Sequence, residues 1–288
     1  MKIGLIGTGL MGQPMAMRLL AANQSVIVYN RTVAKLEPLK AAGAEIADSP
    51  LALIQAAECI ILMLTDASAI QSVLLSSECW SALADRTIIQ MGTIAPTDSR
   101  NLHTEIVAAG GNYLESPVLG SIPQVESGTL QVMVGSTPHE FQQWSGLLRH
   151  FGEPMYIGEV GTAAAVKLGL NQLIASLTSA FSLSLGFIQR QGGDVEKFMQ
   201  ILRESALYAP TFDKKLQRML DRNYSNPNFP TKHLLKDTRL FLQEAETLQL
   251  NISALEGVRE ILEKAQQLGL ADVDYSALFD AVSPREDS

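Results

Sequence analysis

The sequence is poor in cysteine, in charged residues and in net positive charge. Only two of its 288 residues are cysteine, Cys59 and Cys79, which excludes a disulfide framework and leads us to expect a reducing compartment, the cytoplasm. Charged residues make up 18%, and 22 Lys and Arg against 30 Asp and Glu leave a formal net charge of −8. A chain without a basic excess is not expected to bind nucleic acid, whose phosphates require a basic surface.

Patterns for metal binding and for membrane insertion are also missing. The histidines do not cluster with each other or with cysteine at the spacings of metal ligands, so no metal site is expected. The weakly polar stretch Gly161–Ile188 has the length of a membrane helix, but Lys167, Asn171 and Gln172 lie inside it. We therefore expect a long buried helix and no association with a membrane.

Hydrophobic residues are plentiful, at 47% of the chain, and in the first half they form short runs that alternate with helical patterns. The runs predict buried strands at Lys2–Ile6, Val26–Asn30, Cys59–Leu64 and Thr87–Met91, with weaker strands near Tyr113–Ser116, Leu130–Val134 and Met155–Ile157. The intervening patterns predict helices at Met11–Ala22, Val33–Ala42, Leu51–Ala57 and Ala67–Leu74. Such alternation predicts a doubly wound parallel sheet with helices on both faces.

After about Gly161 only helical periodicity follows, which predicts an all-helical second domain. Its helices are expected at Thr162–Gln191, Val195–Glu204, Phe212–Asp221, Lys232–Leu248 and Ser253–Leu268. Gly192 and Gly193 are suited to end the first of these helices, and Asp194 is suited to cap the second. We therefore predict an α/β fold with two domains, residues 1–161 and residues 162–288, joined by the long helix.

A glycine-rich turn connects the first predicted strand to the first predicted helix. Its G-x-G-x-x-G spacing puts glycine where the chain turns sharply, where a pyrophosphate approaches the backbone, and where helix and strand pack closely. This context predicts dinucleotide binding at the helix N-terminus in a Rossmann-type domain, and the alternative is a purely structural turn. The predicted binding residues in the turn are Gly7, Gly9, Leu10, Met11 and Gly12.

The second predicted strand is followed by polar and basic residues, Asn30, Arg31 and Thr32, rather than by an acid. An acid at this position would bind the ribose 2′-hydroxyl of NAD, whereas a guanidinium, a hydroxyl and an amide suit a 2′-phosphate. The sequence therefore predicts NADP(H) as the cofactor, and the alternative is a solvated arginine in a loop. Leu64 and Thr65, at the end of the next predicted strand, are assigned to the same cofactor site.

Lys167 and Asn171 are four residues apart in the long predicted helix and therefore share one face. In a dehydrogenase, a lysine near a domain junction can protonate a carbonyl oxygen as hydride arrives, and an asparagine can hold the substrate oxygen or the lysine amine. The alternative is a lysine whose side chain extends to solvent. Taken alone, Lys236 and Asp237 predict a solvated helix face.

Four motifs recur in an order that is typical of one enzyme family. They are, along the chain, Gly7–Ala16 with Asn30–Thr32, Glu115–Leu130, Gly158–Asn171 and Lys236–Asp237. Together they resemble the β-hydroxyacid dehydrogenase family, which includes 3-hydroxyisobutyrate dehydrogenases, tartronate semialdehyde reductases and glyoxylate/succinic semialdehyde reductases. The resemblance covers nearly the whole chain. It implies an NADP-dependent oxidoreductase acting on CH–OH groups, assembled as a homodimer or homotetramer through the helical domain.

The resemblance also implies roles for individual residues. Lys167 is the catalytic acid or base, and Asn171 orients the substrate. Gly120 and Ser121 bind the substrate carboxylate through backbone N–H and hydroxyl donors. The remaining implied site residues are Thr93 beside the nicotinamide, Lys236 closing over the cofactor, and Phe229 and Asp237 completing the pocket from the helical domain.

One position departs from the family pattern. The family has Ser-Gly-Gly after Pro-Val, whereas this chain has Leu119, Gly120 and Ser121, so position 119 offers the carboxylate no hydroxyl. Ser121, the Phe229–Pro230 stretch and the tail Asp272–Ser276 resemble the glyoxylate/succinic semialdehyde reductase branch. The expected function is therefore the NADPH-dependent reduction of small, anionic aldehyde acids to hydroxy acids.

Other functions share parts of this pattern. The alternatives within the family are a 3-hydroxyisobutyrate dehydrogenase and a tartronate semialdehyde reductase. An imine reductase shares the architecture and the cofactor but generally lacks the lysine, so Lys167 argues against it. A non-catalytic NADP-binding protein is the alternative from another class, and the presence of both Lys167 and Asn171 argues against that function too.

Overall fold

The computed structural model describes residues Met1–Arg285 and divides into two compact units, Met1–Lys167 and Leu168–Ser288. The strands of the first unit are β1 (Lys2–Ile6), β2 (Ser25–Tyr29), β3 (Glu45–Ile46), β4 (Cys59–Leu62), β5 (Thr87–Gln90), β6 (Asn112–Glu115), β7 (Val118–Leu119), β8 (Leu130–Gly135) and β9 (Gly152–Gly158). Its helices are α1 (Gly12–Ala21), α2 (Glu37–Ala41), α3 (Pro50–Ala56), α4 (Ala67–Leu74), α5 (Ser77–Trp80), α6 (Pro96–Ala108), α7 (Ile122–Ser127) and α8 (Pro138–Leu148). The four main strands predicted from sequence are confirmed to within two residues.

The sheet is parallel over six strands and mixed beyond them. Strands β1 to β6 run parallel in the order β3-β2-β1-β4-β5-β6, which is the order of a doubly wound nucleotide-binding sheet. The order reverses between β1 and β4, and ligands of such sheets bind outside the carboxyl ends of the strands at this switch point. The doubly wound α/β fold predicted from sequence is confirmed.

The sheet departs from the predicted parallel arrangement at β8. Strands β6 and β7 pair with β8 in a single antiparallel register, in which Glu115 lies opposite Gly135 and Val118 lies opposite Val132. The chain between β7 and β8 is a ten-residue connection that includes only the short helix α7. A parallel neighbour requires a longer crossover, so this connection returns the chain antiparallel. The last strand, β9, again pairs parallel with β8.

The strands are buried on both faces, which explains why they read as continuous apolar runs. In β1, Ile3 and Leu5 pack into one hydrophobic core, and Ile6 packs into the core on the opposite face. Cys59 belongs to the first of these cores, and its burial raises the pKa of the thiol far above its ordinary value. A thiol that stays protonated is a poor nucleophile, so Cys59 is part of the packed core.

The chain from Thr162 onward is helical within the described residues. Helix α9 (Thr162–Arg190) starts in the first unit and continues into the second. The other helices are α10 (Val195–Arg203), α11 (Pro210–Leu220), α12 (Thr231–Thr247), α13 (Ser253–Gln267) and α14 (Leu278–Val282). Asp194 caps α10 as predicted, because its Oδ1 accepts from the backbone N–H groups of Glu196 and Lys197 at 2.9 and 3.2 Å. The predicted bounds of α9 to α13 are confirmed to within two residues.

Several helices of the first unit were not predicted from sequence, and one predicted helix is interrupted. Helix α6 was missed because its buried face carries the polar Ser99 together with Leu102 and Ile106, which weakens the apolar pattern. The predicted helix Val33–Ala42 is instead a 3₁₀ turn followed by α2. Pro38 explains the break, because proline is accepted in the first turn of a helix but not in its interior.

Helix α9 is also long and apolar enough to cross a membrane, by length and composition alone. Core helices meet the same criteria, and 44% of its most apolar window is buried within the described chain. The side chains of Lys167 and Asn171 are among those that are buried. Their burial favours the assignment of α9 as a core helix, as expected from sequence.

Candidate active site and cofactor site

The glycine turn follows β1 and leads into α1, and its three motif glycines differ in what they require. Gly7 has a φ of +98°, and a Cβ there would collide with the carbonyl oxygen of Met63. A Cβ on Gly12 would collide with the carbonyl oxygen of Gly7. A Cβ on Gly9, by contrast, would meet no heavy atom within 4 Å. Packing of the protein therefore explains two of the glycines, whereas Gly9 has open space that a bound group can approach.

The surroundings of this turn suit the pyrophosphate of a dinucleotide. Helix α1 has no side-chain cap at its N-terminus and no acidic residue in its first turn, so the positive end of its dipole is not neutralised locally. The buried hydroxyl of Thr8 has no hydrogen-bond partner within the described residues. A cleft of about 650 Å³ beside the turn is lined by Thr8, Gly9, Leu10 and Lys35, among others. These features fit a bound dinucleotide.

The loops after β1, β4 and β5 meet at the switch point of the sheet. A Cβ on Gly7 would lie 3.0 Å from the side chain of Leu64, and a Cβ on Gly92 would lie 2.5 Å from the Leu64 carbonyl oxygen. Gln90 braces the third loop, because its side chain accepts from Gly92 N–H at 2.6 Å and donates to Gly92 O at 3.0 Å. The predicted residues Leu64, Thr65 and Thr93 therefore belong to loops that adjoin the glycine turn.

Asn30, one of the predicted cofactor-binding residues, joins two loops through its side-chain amide. Its Oδ1 accepts from the backbone N–H of Thr8 at 3.1 Å, and its Nδ2 donates to the carbonyl oxygen of Thr32 at 3.0 Å. The amide therefore ties the glycine turn to the loop after β2. Arg31 and Thr32 are exposed there. Sequence reasoning did not select Lys35, which lies four residues beyond Arg31 and lines the cleft beside the glycine turn.

Ser121 has both of its donors engaged within the protein. Its backbone N–H and its hydroxyl donate to Oε1 of Gln124 at 2.9 and 2.8 Å, at the N-terminus of α7. The preceding Gly120 is exposed and has a φ of +137°. A substrate carboxylate could accept the two Ser121 donors only by displacing the Gln124 oxygen. Gln124 was not identified from sequence, although the S-x-x-Q spacing of a capping box is the signal for it.

Lys167 and Asn171 lie one turn apart on α9, and both are buried. Lys167 is 9% exposed, so the alternative of a lysine extending to solvent is wrong. Asn171 is 2% exposed, and its Nδ2 donates to Oδ2 of Asp237 at 2.6 Å. A carboxylate can only accept, so Asp237 fixes which end of the amide faces it. The buried Oδ1 of Asn171 is left without a hydrogen-bond partner within the described residues.

Asp237 is the one member of the Lys236–Asp237 pair that is fully buried. It is 2% exposed, so a solvated helix face is the wrong description of this residue. Lys236 Nζ lies 2.8 Å from Asp237 Oδ1 as an ion pair. Phe229 packs edge-on against Tyr275, with 5.9 Å between ring centroids. The second unit therefore brings Asn171, Lys236 and Asp237 together, and Phe229 packs against the hydrophobic core of the same unit.

Comparison with known proteins extends these observations to the whole chain. Residues 2–161 match the family described as the NAD binding domain of 6-phosphogluconate dehydrogenase, and residues 161–282 match the NAD-binding domain of NADP-dependent 3-hydroxyisobutyrate dehydrogenase. The chain belongs to the β-hydroxyacid dehydrogenase family. As a member of this family it is an oxidoreductase that binds NAD(P) and acts on CH–OH groups.

Individual members of the β-hydroxyacid dehydrogenase family match the chain over nearly its full length. Glyoxylate/succinic semialdehyde reductase 1 of Arabidopsis thaliana is 32% identical and covers 98% of both chains. The 2-hydroxy-3-oxopropionate reductase of Escherichia coli is 30% identical, over 98% of this chain and 97% of that protein. The structure of a 3-hydroxyisobutyrate dehydrogenase from Mycobacterium tuberculosis superposes with a TM-score of 0.89 at 20% identity, covering 98% of each chain, and shows the shared fold.

One further relative carries a name that is not that of an enzyme. The cytokine-like nuclear factor N-PAC of Drosophila melanogaster is 25% identical to this chain and matches 96% of it. The match covers only 46% of that larger protein. A sequence similar to nearly the whole of this chain therefore also occurs as one part of a nuclear factor.

Gly9→Ala is expected to leave folding intact and to weaken cofactor binding. The added methyl group meets no protein atom within 4 Å, but it stands where a pyrophosphate approaches the backbone. We expect an unchanged Tm and a Kd for NADPH raised roughly tenfold or more, which corresponds to a loss of ~1.4 kcal/mol. Thermal unfolding and calorimetric titration measure the two quantities.

Gly7→Ala is the matched control, because its backbone conformation and its contact with Met63 both oppose a side chain. This variant should have a lower Tm than the wild type. If Gly9→Ala binds NADPH and NADH as tightly as the wild type does, the glycine motif is only a structural turn.

Ser121→Ala and Gln124→Ala are expected to change the KM for an aldehyde acid in opposite directions. Loss of the Ser121 hydroxyl removes a hydrogen bond to a carboxylate, worth ~1.5–3 kcal/mol or roughly 10–100-fold in KM. Loss of the Gln124 side chain frees both Ser121 donors and should lower the KM. Steady-state kinetics well below the Tm avoid confusion with the weakened cap of α7. Equal increases of KM in both variants would contradict a carboxylate site at Ser121.

Proposed function

We propose that the protein is an NADPH-dependent reductase of small aldehyde acids, with glyoxylate and succinic semialdehyde as substrates and hydroxy acids as products. The observation that carries the proposal is the buried pair Lys167 and Asn171, one turn apart on α9, in which Asp237 fixes the amide of Asn171. Identity of 32% to a glyoxylate/succinic semialdehyde reductase over nearly the whole chain supports this substrate class. The rest of the proposal assigns steps to the residues of this chain.

Lys167 is the proton donor of the proposed reaction. When bound, NADPH would supply the hydride that reduces the carbonyl carbon of the substrate. The carbonyl oxygen gains negative charge in this step, and the Lys167 ammonium donates a proton to it, which completes the hydroxyl group. Asn171 lies on the same helix face, and its partnerless Oδ1 accepts a hydrogen bond from the lysine ammonium or from the new hydroxyl. In the oxidative direction the neutral Lys167 amine takes the proton back.

The cofactor is held by the first unit in this proposal. Gly9, the buried Thr8 hydroxyl and the uncapped N-terminus of α1 bind the pyrophosphate. Arg31 and Lys35 are assigned to the 2′-phosphate, because both are exposed cations that follow β2 and neither forms an ion pair within the described residues. Lys35 also lines the cleft beside the glycine turn. Leu64, Thr65 and Thr93 flank the nicotinamide end at the switch point.

The substrate carboxylate is assigned to Gly120 and Ser121, with Gln124 as the oxygen that it replaces. Thr93, Phe229 and Asp237 remain proposed members of the substrate pocket, and Lys236 remains a proposed lid over the cofactor. A tartronate semialdehyde reductase is the second candidate, favoured by the 30% identity to the Escherichia coli 2-hydroxy-3-oxopropionate reductase. A 3-hydroxyisobutyrate dehydrogenase and a non-catalytic NADP-binding protein are the further alternatives that the experiment below separates.

Lys167→Ala tests the proposed function directly. NADPH oxidation is followed with glyoxylate, succinic semialdehyde, tartronate semialdehyde and methylmalonate semialdehyde, and each assay is repeated with NADH. We expect turnover of the first two substrates, and a loss of kcat by about 10²–10⁴-fold in the variant, since that is the usual contribution of a general acid. Binding of NADPH should be unchanged.

Lys197→Ala is the control for this test, because its side chain is 81% exposed on α10. A wild-type protein that binds NADPH and reduces none of these acids would be the non-catalytic alternative. Activity confined to the oxidation of 3-hydroxyisobutyrate would assign the protein to that dehydrogenase instead.

Arg31→Ala tests the proposed preference for NADPH. Loss of a charge-assisted hydrogen bond to the 2′-phosphate costs ~1.5–3 kcal/mol, so the KM for NADPH should rise roughly 10–100-fold, while the KM for NADH stays constant. Arg149→Ala removes an arginine of the same unit whose side chain is 59% exposed, and it should change neither value. A wild-type protein that turns over faster with NADH than with NADPH would overturn the assignment of Arg31.

We also propose that the protein is cytoplasmic and forms a homodimer or homotetramer through its helical unit. Large apolar side chains of that unit are exposed to solvent in the single chain, including Leu183 at 64% and Phe187 at 61% on α9. Burial of such side chains against a second copy is favourable at ~25 cal/mol per Å². A monomeric mass in light scattering would contradict this part of the proposal.

A further inference from the structure

Glu115, at the end of β6, caps the first turn of α9 although it lies far away in sequence. Its carboxylate oxygen Oε1 accepts from the backbone N–H groups of Gly161, Ala163 and Ala164 at 2.8, 2.9 and 3.2 Å. These amides belong to the start of α9, where they have no partner within the helix. The cap of this helix is therefore supplied by the central sheet, and the glutamate that supplies it is 1% exposed.

The residues at the start of α9 provide no comparable cap of their own. The hydroxyl of Thr162 donates to the carbonyl oxygen of Glu159 at 2.6 Å. The first turn of the helix contains no acidic residue. Glu115 therefore supplies the carboxylate that joins this turn to the sheet.

The second oxygen of Glu115 is held by a chain of hydroxyl groups. Ser99 Oγ donates to Glu115 Oε2, which uses the single proton of that hydroxyl. The Tyr113 hydroxyl, 2.7 Å from Ser99 Oγ, must then be the donor to Ser99. All partners of the carboxyl group thus donate, and this arrangement suits the ionised form. Burial raises the pKa of Glu115, and the hydrogen bonds from Ser99 and from the three amides oppose that rise.

The surrounding sheet leaves room for this carboxylate at one position. Gly135 lies directly opposite Glu115 in the ladder between β6 and β8. A Cβ on Gly135 would collide with Glu115 Oε1, so any other residue there would displace the cap. The carboxylate of Glu115 therefore occupies space that is available only because residue 135 is glycine.

We infer that Glu115 is a positioning residue for Lys167. The inference rests on the proposed role of Lys167 as the proton donor. Lys167 lies one turn beyond Ala163 and Ala164, and side chains of a helix lean toward its N-terminus, over the turn that Glu115 holds. The direction and register of that turn set where the lysine ammonium stands. Small displacements of a reacting group, of about 1 Å, can lower a rate by about 100-fold.

Glu115→Ala and Glu115→Gln test the inference together. The glutamine retains an oxygen for the three amides, whereas the alanine removes the cap. We expect kcat for the aldehyde acid to fall roughly tenfold or more in the alanine variant and to be largely retained in the glutamine variant. The KM and the Kd for NADPH should change little in either, because no proposed cofactor residue is altered.

Thr137→Ala is the matched control, because Thr137 caps another helix of the same unit, α8, by accepting from Glu140 N–H at 3.2 Å. It should leave kcat unchanged. Hydrogen exchange provides a readout that does not depend on activity. Amides of Gly161–Ala164 should exchange faster in Glu115→Ala than in the wild type, and in Thr137→Ala they should not. The reactivity of the Lys167 amine toward an acylating reagent, measured by mass spectrometry, should differ from the wild type in Glu115→Ala. In Thr137→Ala it should equal that of the wild type.

The outcomes separate the two proposals. If Glu115→Ala frays the start of α9 but keeps the wild-type kcat, the inference about positioning is overturned. If exchange at Gly161–Ala164 is unchanged, the cap itself is refuted. If Lys167→Ala is as active as the wild type, the proposed function fails, while the exchange and labelling results still decide whether Glu115 positions Lys167. Should Glu115→Ala not fold, the single variants Ser99→Ala and Glu115→Gln supply the comparison. Each weakens the hydrogen bonds of the cap without removing it, so a smaller loss of kcat is expected than for the alanine at position 115.

Discussion

Unpaired backbone amides at helix N-termini are the constraint on which the rest of this structure depends. The first amides of a helix have no acceptor within it, so an acceptor must come from elsewhere. At α9 it is a buried carboxylate from the central sheet, Glu115. At α7 the side-chain oxygen of Gln124 accepts hydrogen bonds from the N–H and the hydroxyl of Ser121. At α1 no side chain caps the helix at all, and its first turn lacks an acid.

These three arrangements differ in what they leave for a ligand. The uncapped start of α1, next to Gly9, is suited to a phosphate group from outside the chain. The cap at α7 is an amide oxygen on a side chain that can rotate, so a carboxylate could replace it. The cap at α9 is buried, and it already occupies the N-terminal amides of that helix, so these amides are not available to a ligand. The formal net charge of −8 therefore says little about the charge of the ligand, because the binding of an anion depends on the groups that surround it.

Groups that can only accept or only donate set the orientation of their neighbours. Asp237 accepts from Asn171, and this determines that the amide oxygen of Asn171 faces away from it. Glu115 accepts from Ser99, and this makes Tyr113 the donor to Ser99. Asp237 is buried next to Lys236 on a helix face that the sequence alone predicts to be solvated. Burial of a charge requires such partners, and here a lysine and an amide provide them.

The sequence by itself determined the features that depend on near neighbours in the chain. Apolar periodicity was sufficient for β1, for the other long strands and for α9 to α13. The glycine turn could be recognised because its spacing, the strand before it and the helix after it are all local. The tertiary structure alone decided which distant groups meet. No sequence pattern shows that Glu115 caps a helix 46 residues away, that Asn171 donates to Asp237, or that β8 runs antiparallel. The physical reason is that hydrogen-bond partners and strand direction depend on how the chain folds back on itself, and residue spacing records only which side chains share a face.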